Sequence, residues 1–188
     1  MAAGSSSLGP WTLWGSGSVA NYEGSVAAAP YEADNYNLLI GADRLFGEQL
    51  LAGFTLDYEN VDTTTRFNGG AQDRDGLQGA LYAAYLINDV FSVNAAIGYA
   101  TIDTDETRVD PGTSISVGTA AAPGATLRGS YDSKRGFASV NLNAVKVYGK
   151  WVIGGRVGAL YVVESQDTYS EIGGAGVRSV HKRHLDLT

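Results

Sequence analysis

The sequence predicts an all-β protein, an antiparallel up-and-down transmembrane β-barrel with seven to eight strands present. Three observations predict it. Side-chain character alternates every second residue, the period of a strand and not of a helix. Connections between the alternating segments are short and long by turns. Aromatic residues gather at both ends of the segments.

The composition of the 188-residue chain sets the limits: 44% of residues are hydrophobic, 18% are charged, 25 are glycine and none is cysteine. So much apolar character excludes a disordered chain, and the absence of thiols excludes a disulfide framework or a thiolate metal site. A formal net charge of −7 argues against a nucleic-acid partner. No Lys or Arg precedes Arg44, and residues 1–10 lack the apolar run of a secretory signal. They are set apart as a leader segment, with the barrel domain at 11–188. No window approaches the roughly 18 to 20 consecutive apolar residues of a membrane-spanning helix.

The segments follow in order. Residues 11–22 read as a strand whose faces are ambiguous, because Gly15 and Gly17 alternate with Ser16 and Ser18. In 36–44, Tyr36, Leu38, Ile40 and Ala42 oppose Asn37, Leu39, Gly41 and Asp43. In 50–58, Leu50, Ala52, Phe54, Leu56 and Tyr58 oppose Leu51, Gly53, Thr55 and Asp57. Residues 77–86 are rich in Ala and Leu, which favour helices, but their length and neighbours favour a strand containing Gln78. In 91–101, Phe91, Val93, Ala95, Ile97 and Tyr99 oppose Ser92, Asn94, Ala96 and Gly98. In 137–144, Ala138, Val140, Leu142 and Ala144 oppose Phe137, Ser139, Asn141 and Asn143. In 151–163, Trp151, Ile153, Val157, Ala159 and Tyr161 oppose Val152, Gly154, Arg156 and Gly158. A weak last strand is expected near 180–188.

Short links are expected at 46–49, 87–90 and 148–150, and long polar loops at 23–35, 59–75, 103–135 and 164–179. In an up-and-down sheet alternate connections share an end, so one end carries tight turns and the other long loops. Outer-membrane barrels sort their connections in this way. Trp14, Phe46, Tyr85, Phe91, Tyr148 and Trp151 lie toward the short-turn end, and Tyr22, Tyr36, Tyr58, Tyr99 and Tyr161 toward the long-loop end. Phe91 and Tyr99 share a face eight positions apart, about 26 Å along a strand, and a tilt of about 40° reduces this to roughly 20 Å of height. The ten positions from Trp151 to Tyr161 give roughly 25 Å, the height of the apolar band of such barrels. The expected lipid-facing girdle is Tyr36, Tyr58, Phe91, Tyr99, Trp151 and Tyr161. The opposite faces are poor in Lys and Glu, unlike a sheet facing water. They are expected to line the lumen through Asn37, Asp43, Thr55, Asp57, Gln78, Asn94, Ser139, Asn141, Asn143 and Arg156. Arg156, between Gly154 and Gly158 on its own face, is expected to pair with a lumen carboxylate and to tune passage.

The run Trp11-Thr-Leu-Trp-Gly-Ser-Gly-Ser, the run Tyr36-Asn-Leu-Leu-Ile-Gly41-Ala42-Asp43-Arg44-Leu45 and the run Leu51-Ala-Gly-Phe-Thr-Leu-Asp-Tyr58 resemble the opening of the autotransporter β-domain. Gly129-Ser-Tyr131-Asp132-Ser and Gly155-Arg-Val-Gly-Ala-Leu-Tyr161 resemble later strands of the same family. The likeness spans nearly the whole chain through degenerate patterns. It implies a twelve-stranded outer-membrane translocator barrel that exports an N-terminal passenger, with barrel-assembly machinery and outer-membrane lipids as partners. On that comparison the chain is expected to be about the first two thirds of such a barrel.

Catalytic chemistry finds little support, and neither an enzyme nor a cofactor or metal is expected. His181 and His184 are three apart and face opposite sides of a strand, so they cannot share a metal there. Ser179 and His181 share a face, which leaves a lipid hydrolase as a minor alternative. Gly15-Ser-Gly17-Ser-Val-Ala20 matches a dinucleotide-binding pattern but has no helix after it. Asp103, Asp105, Glu106 and Asp110 offer oxygen ligands for Ca²⁺, but without the spacing of a known loop. The competing readings are a self-contained eight-stranded outer-membrane protein with surface-binding loops, and a soluble ligand-binding barrel.

Overall fold

The computed structural model describes residues 2–24, 30–66, 69–109, 124–173, 176–180 and 183–187, with side chains described from 7 to 173 within those spans. Among them the only regular elements are strands: β1 (Ala2–Leu8), β2 (Trp11–Gly24), β3 (Tyr31–Phe46), β4 (Leu50–Thr65), β5 (Gly70–Leu86), β6 (Phe91–Val109), β7 (Thr126–Tyr148), β8 (Trp151–Gln166), β9 (Tyr169–Gly173), β10 (Gly176–Val180) and β11 (Arg183–Leu187). They form one antiparallel sheet in which β1 to β8 lie side by side in chain order and β11 follows β8. No helix among the described residues is long and apolar enough to cross a membrane.

Ala2–Leu8, within the segment set apart as a leader, pair with β2 from Ala2↔Gly17 to Leu8↔Trp11. The segment 77–86 lies inside β5, and the weak last strand coincides with β11, which pairs with β8 from Arg183↔Gln166 to Leu187↔Val162. The three short links stand where expected, with Gly47 and Gly149 in left-handed conformations (φ 65° and 57°) that a side chain disfavours. In the link after β5, the Asn88 side chain accepts from the amides of Val90 and Phe91, both at 2.9 Å.

All four expected loops are in large part strand: 23–24 end β2 and 31–35 begin β3. Residues 59–65 continue β4 and 70–75 begin β5; 103–109 continue β6 and 126–135 begin β7. Residues 164–179 hold the end of β8, all of β9 and most of β10. The alternation of polarity stops at these points because both faces become polar, but the hydrogen-bond ladder does not need an apolar face to continue. Thr63, Thr64 and Thr65 favour it further. β9 takes up the line of β8 along β7, through Arg128↔Ile172, after a break at Asp167 whose amide donates to the Asp132 carbonyl at 2.9 Å. Strands of 16 to 23 residues from β3 to β8 exceed the 9 to 11 or so that cross a bilayer. The excess forms a polar ribbon at the end away from the short turns.

Exposure alternates along the strands. Leu38 and Ile40 are exposed and Asn37 and Leu39 are not. In β6, Thr101, Asp103 and Asp105 are exposed while Ala100, Ile102 and Thr104 are buried. Phe54, Ile97 and Val157 are 45%, 61% and 68% exposed, so they do not meet in a dry centre as a soluble barrel would require. Side chains from strands that are not neighbours touch only on the polar side, described below, so that side is concave and the apolar side convex.

Glycines on the concave side make room for large neighbours. A Cβ on Gly41 would enter the Trp14 ring, and one on Gly98 would enter Phe137. At Gly53 it would lie 2.5 Å from the Ala42 carbonyl oxygen and 2.7 Å from the Tyr82 hydroxyl. At Gly155 it would meet nothing within 4 Å. Gly53→Ala should therefore destabilise the folded protein by about 1–3 kcal/mol, while Gly155→Ala should leave it near wild type. Urea unfolding in lipid vesicles measures both, and equal midpoints would contradict this account.

Candidate functional site

One polar arrangement on the concave side joins three strands. Trp14 Nε1 of β2 donates to Asp43 Oδ2 of β3 at 3.0 Å and approaches the Tyr82 hydroxyl of β5 at 3.2 Å. Tyr82 in turn donates to Asp43 Oδ2 at 2.8 Å. In a flat sheet β2 and β5 would stand about 14 Å apart, three spacings of about 4.8 Å. Direct contact between their side chains requires strong curvature. Trp14 therefore belongs to the polar side and not to the short-turn aromatics, and it fixes the ambiguous faces of β2: Ser16 and Ser18 share its side, and Leu13 and Val19 oppose it.

The other residues expected to line a lumen occupy the same face. Asn37 donates to Asp57 at 2.6 Å, and above it Asn35 donates to Glu59 at 2.7 Å. Thr55 stands opposite Gly41 and Gln78 opposite Asp57. Asn94 stands opposite Asn141, and Ser139 opposite Ala96. Asn143 reaches the Ser92 hydroxyl at 3.5 Å. Arg156 is opposite Asn143, but it forms no ion pair among the described residues. The expected carboxylate partner is not beside it. The cause is position: β11 covers β8 only from Val162 to Gln166, so nothing described stands across from Arg156 on its far side.

The concave ion pairs lie instead in the polar ribbon. Glu164 accepts from Arg135 Nε at 2.8 Å and from Arg74 Nη2, three strands away, at 3.4 Å. Arg108 grips Glu171 with two bonds of 2.8 Å, and Glu171 is buried. The Tyr169 hydroxyl donates to Glu106 at 2.5 Å, and its ring lies 4.5 Å from that of Tyr131, which accepts from Gln72 at 3.1 Å. Burial, and then the Glu106 carboxylate, push both tyrosine hydroxyls above their usual range. These residues fell in segments read as loops, so their faces were not assigned. The threonines that follow Tyr58 and Tyr99 (Thr63 to Thr65; Thr101, Thr104 and Thr107) are the signal that places β4 and β6 in the ribbon.

On the convex side Tyr36, Tyr58, Phe91, Tyr99, Trp151 and Tyr161 are all exposed, between 42% and 67%. Beyond Tyr58 the convex ribbon is acidic. Asp34, Asp62, Asp73 and Asp105 stand opposite one another across four strands. Desolvation, and then the charges of Asp73 and Asp34, raise the exposed Asp62 carboxyl above its usual value. Asp103 and Asp105 are convex whereas Glu106 is concave, so the run considered for Ca²⁺ is split by the period of the strand; Asp110 lies outside the described residues. Among the described residues no three acidic or His side chains converge on a metal position. His181 lies outside the described residues, as do the side chains of Ser179 and His184.

A curved antiparallel sheet, apolar and aromatic-banded outside and polar inside, is the wall of a membrane-spanning β-barrel. The chain belongs to the autotransporter β-domain family, whose model matches residues 13–188; domains of this family sit in the bacterial outer membrane. Its fold is similar to the translocator domain of the autotransporter NalP from Neisseria meningitidis, with a TM-score of 0.70 at 13% sequence identity. The likeness covers 94% of this chain and 56% of that one, so the chain spans a little over half the length of that translocator. No curated protein matches the sequence.

Two consequences follow for the ribbon. Arg108→Ala removes two charged hydrogen bonds from the buried Glu171 and should destabilise the docking of β9 by about 2–3 kcal/mol; faster amide exchange in 169–173, with 91–99 unchanged, would register it. At Asp62 a raised folded-state pKa means that the folded state holds its proton more tightly than the unfolded one. The cost is full above the folded pKa and fades as pH falls toward the unfolded value. Asp62→Asn should therefore raise the unfolding temperature slightly at pH 7 and not at pH 3.

Proposed function

We propose that this chain forms part of the wall of an outer-membrane pore through which an N-terminal passenger of the same protein reaches the cell surface, with no catalytic centre of its own. The observation that carries this reading is the sidedness of the sheet. Large apolar side chains stand exposed on the convex side, where hydrocarbon would cover them, and hydrogen-bonded polar groups line the concave side, where water would reach them. Asn37, Asp43, Thr55, Asp57, Gln78, Asn94, Ser139, Asn141, Asn143 and Arg156 then line the lumen, joined by Trp14 and Tyr82. Tyr36, Tyr58, Phe91, Tyr99, Trp151 and Tyr161 mark the lipid boundary. Residues 11–188 belong to the barrel domain together with β1, which pairs with β2, and barrel-assembly machinery and outer-membrane lipids are its remaining partners.

A free sheet edge is not viable in lipid, where each unpaired amide costs several kcal/mol. The edge of β8 along 151–161 has no neighbour among the described residues, which supports further strands of the same protein beyond it, toward a twelve-stranded barrel. The concave donors and acceptors can solvate a passing extended chain, and a lumen guanidinium with no local counter-charge sets a positive potential along its path.

Two measurements test the proposal with the full-length protein. Protease added to intact cells should release the passenger while the barrel stays in the outer-membrane fraction; a passenger protected until the cells are broken would overturn export. In planar bilayers Arg156→Glu should shift ion selectivity toward cations. Unchanged conductance and selectivity would remove Arg156 from the lumen.

A further inference from the structure

The convex face carries opposite charges at its two ends. The ribbon end is acidic. The short-turn end is basic, and its cations repeat one local pattern on two strands of the same direction. β3 ends Arg44-Leu45-Phe46-Gly47 and β7 ends Lys146-Val147-Tyr148-Gly149. Residues two apart on a strand share a face. The Arg44 guanidinium lies 5.0 Å from the centre of the Phe46 ring, and the Lys146 ammonium 5.3 Å from that of Tyr148. Both rings are exposed on the apolar side, so each cation is carried on a ring at the boundary between hydrocarbon and water.

Among the described residues neither cation has an anion. The carboxylates at this end among the described residues are Glu48 and Asp89 in the turns and Asp43 on the concave side, and none forms an ion pair with Arg44 or Lys146. A guanidinium with no carboxylate beside it can take an oxyanion, and phosphate is an acceptor its planar fork fits. At the height of an aromatic girdle the phosphates available are those of lipid headgroups.

We infer that Arg44 with Phe46, and Lys146 with Tyr148, are two headgroup sites for net-anionic phospholipids in the leaflet at the short-turn end. The inference rests on the proposed lipid-facing convex side and adds to it a headgroup chemistry, a leaflet and two residues. The ring holds each cation at the interface, where its stem lies along apolar surface and its charge reaches the phosphate plane. The acidic end repels the same headgroups, which gives the barrel a preferred orientation between unlike leaflets.

The sequence provides reporters for both sites. Trp11 is the ladder partner of Arg44, Trp151 is the ladder partner of Tyr148, and Trp14 is on the concave side. The full-length protein is reconstituted in phosphatidylcholine vesicles containing a fixed fraction of either phosphatidylglycerol or phosphatidylcholine with brominated acyl chains, and tryptophan fluorescence is read. Trp11→Phe and Trp151→Phe separate the two signals. Excess quenching by the brominated phosphatidylglycerol is expected, corresponding to about fivefold local enrichment per cation. It should vanish in Arg44→Gln with Lys146→Gln, persist in part in Arg44→Lys, and fall in high salt. Equal quenching by the two lipids overturns the headgroup sites while leaving the lipid-facing side intact. An excess that survives the double substitution overturns the assignment to these residues. Absence of quenching by either lipid overturns the lipid-facing side itself, and the headgroup sites with it.

Discussion

Every feature of this molecule depends on one constraint: peptide groups that cross hydrocarbon must find all their hydrogen-bond partners in neighbouring strands. That forces a continuous antiparallel ladder, and β2 to β8 supply it with a register that never shifts a residue to the wrong face. Since the ladder satisfies the backbone, the two faces are free to differ, and they do. Among the described residues there is no second layer and almost no apolar core. Ala100, Ile102 and Leu127 are buried on the concave side, while most large apolar side chains look outward.

Curvature gives the concave side its chemistry. The Trp14–Asp43–Tyr82 arrangement reaches over three ladders, and the Arg74–Glu164 pair over three more. Such contacts hold the sheet bent while satisfying donors that would otherwise be desolvated. Glycine on a neighbouring strand lets a large side chain lie flat against the wall: Gly41 beneath Trp14, Gly53 beside Tyr82 and Gly98 beneath Phe137. The wall stays thin there, so the interior keeps its room. Arg156, next to the part of β8 that no described strand covers, is the exception among the concave arginines in having no carboxylate.

Above the upper tyrosines the requirement changes. Water can satisfy the backbone, so the strands continue for reasons of pairing and β-branched composition alone. Charge is then sorted by face: Glu106, Glu164 and Glu171 face inward onto Arg74, Arg108, Arg135 and Tyr169, and a row of aspartates faces outward. At the opposite end the outward charges are positive and ride on aromatic rings. The convex side is thus patterned along its height as acid, tyrosine, aliphatic, aromatic and base, as befits a surface that meets a layered medium.

The sequence by itself determined the strand class, the two faces of the clearly alternating segments, the short turns and the heights of the aromatic bands. All of these are local: a period of two, a glycine with positive φ, a tyrosine at the end of an apolar run. The tertiary structure decided what the period could not carry. Where Thr63 to Thr65 or Asp103 to Glu106 made both faces polar, only the ladder showed that the strands went on and which carboxylates turned inward. In β2, where Gly15 and Gly17 alternate with serines, the faces were fixed by Trp14 reaching Asp43 and Tyr82 across the curve. The partners of arginines were likewise invisible, because an ion pair between β5 and β8 depends on how tightly the intervening sheet bends. Alternation states which side a residue takes, and curvature alone states whom it meets there.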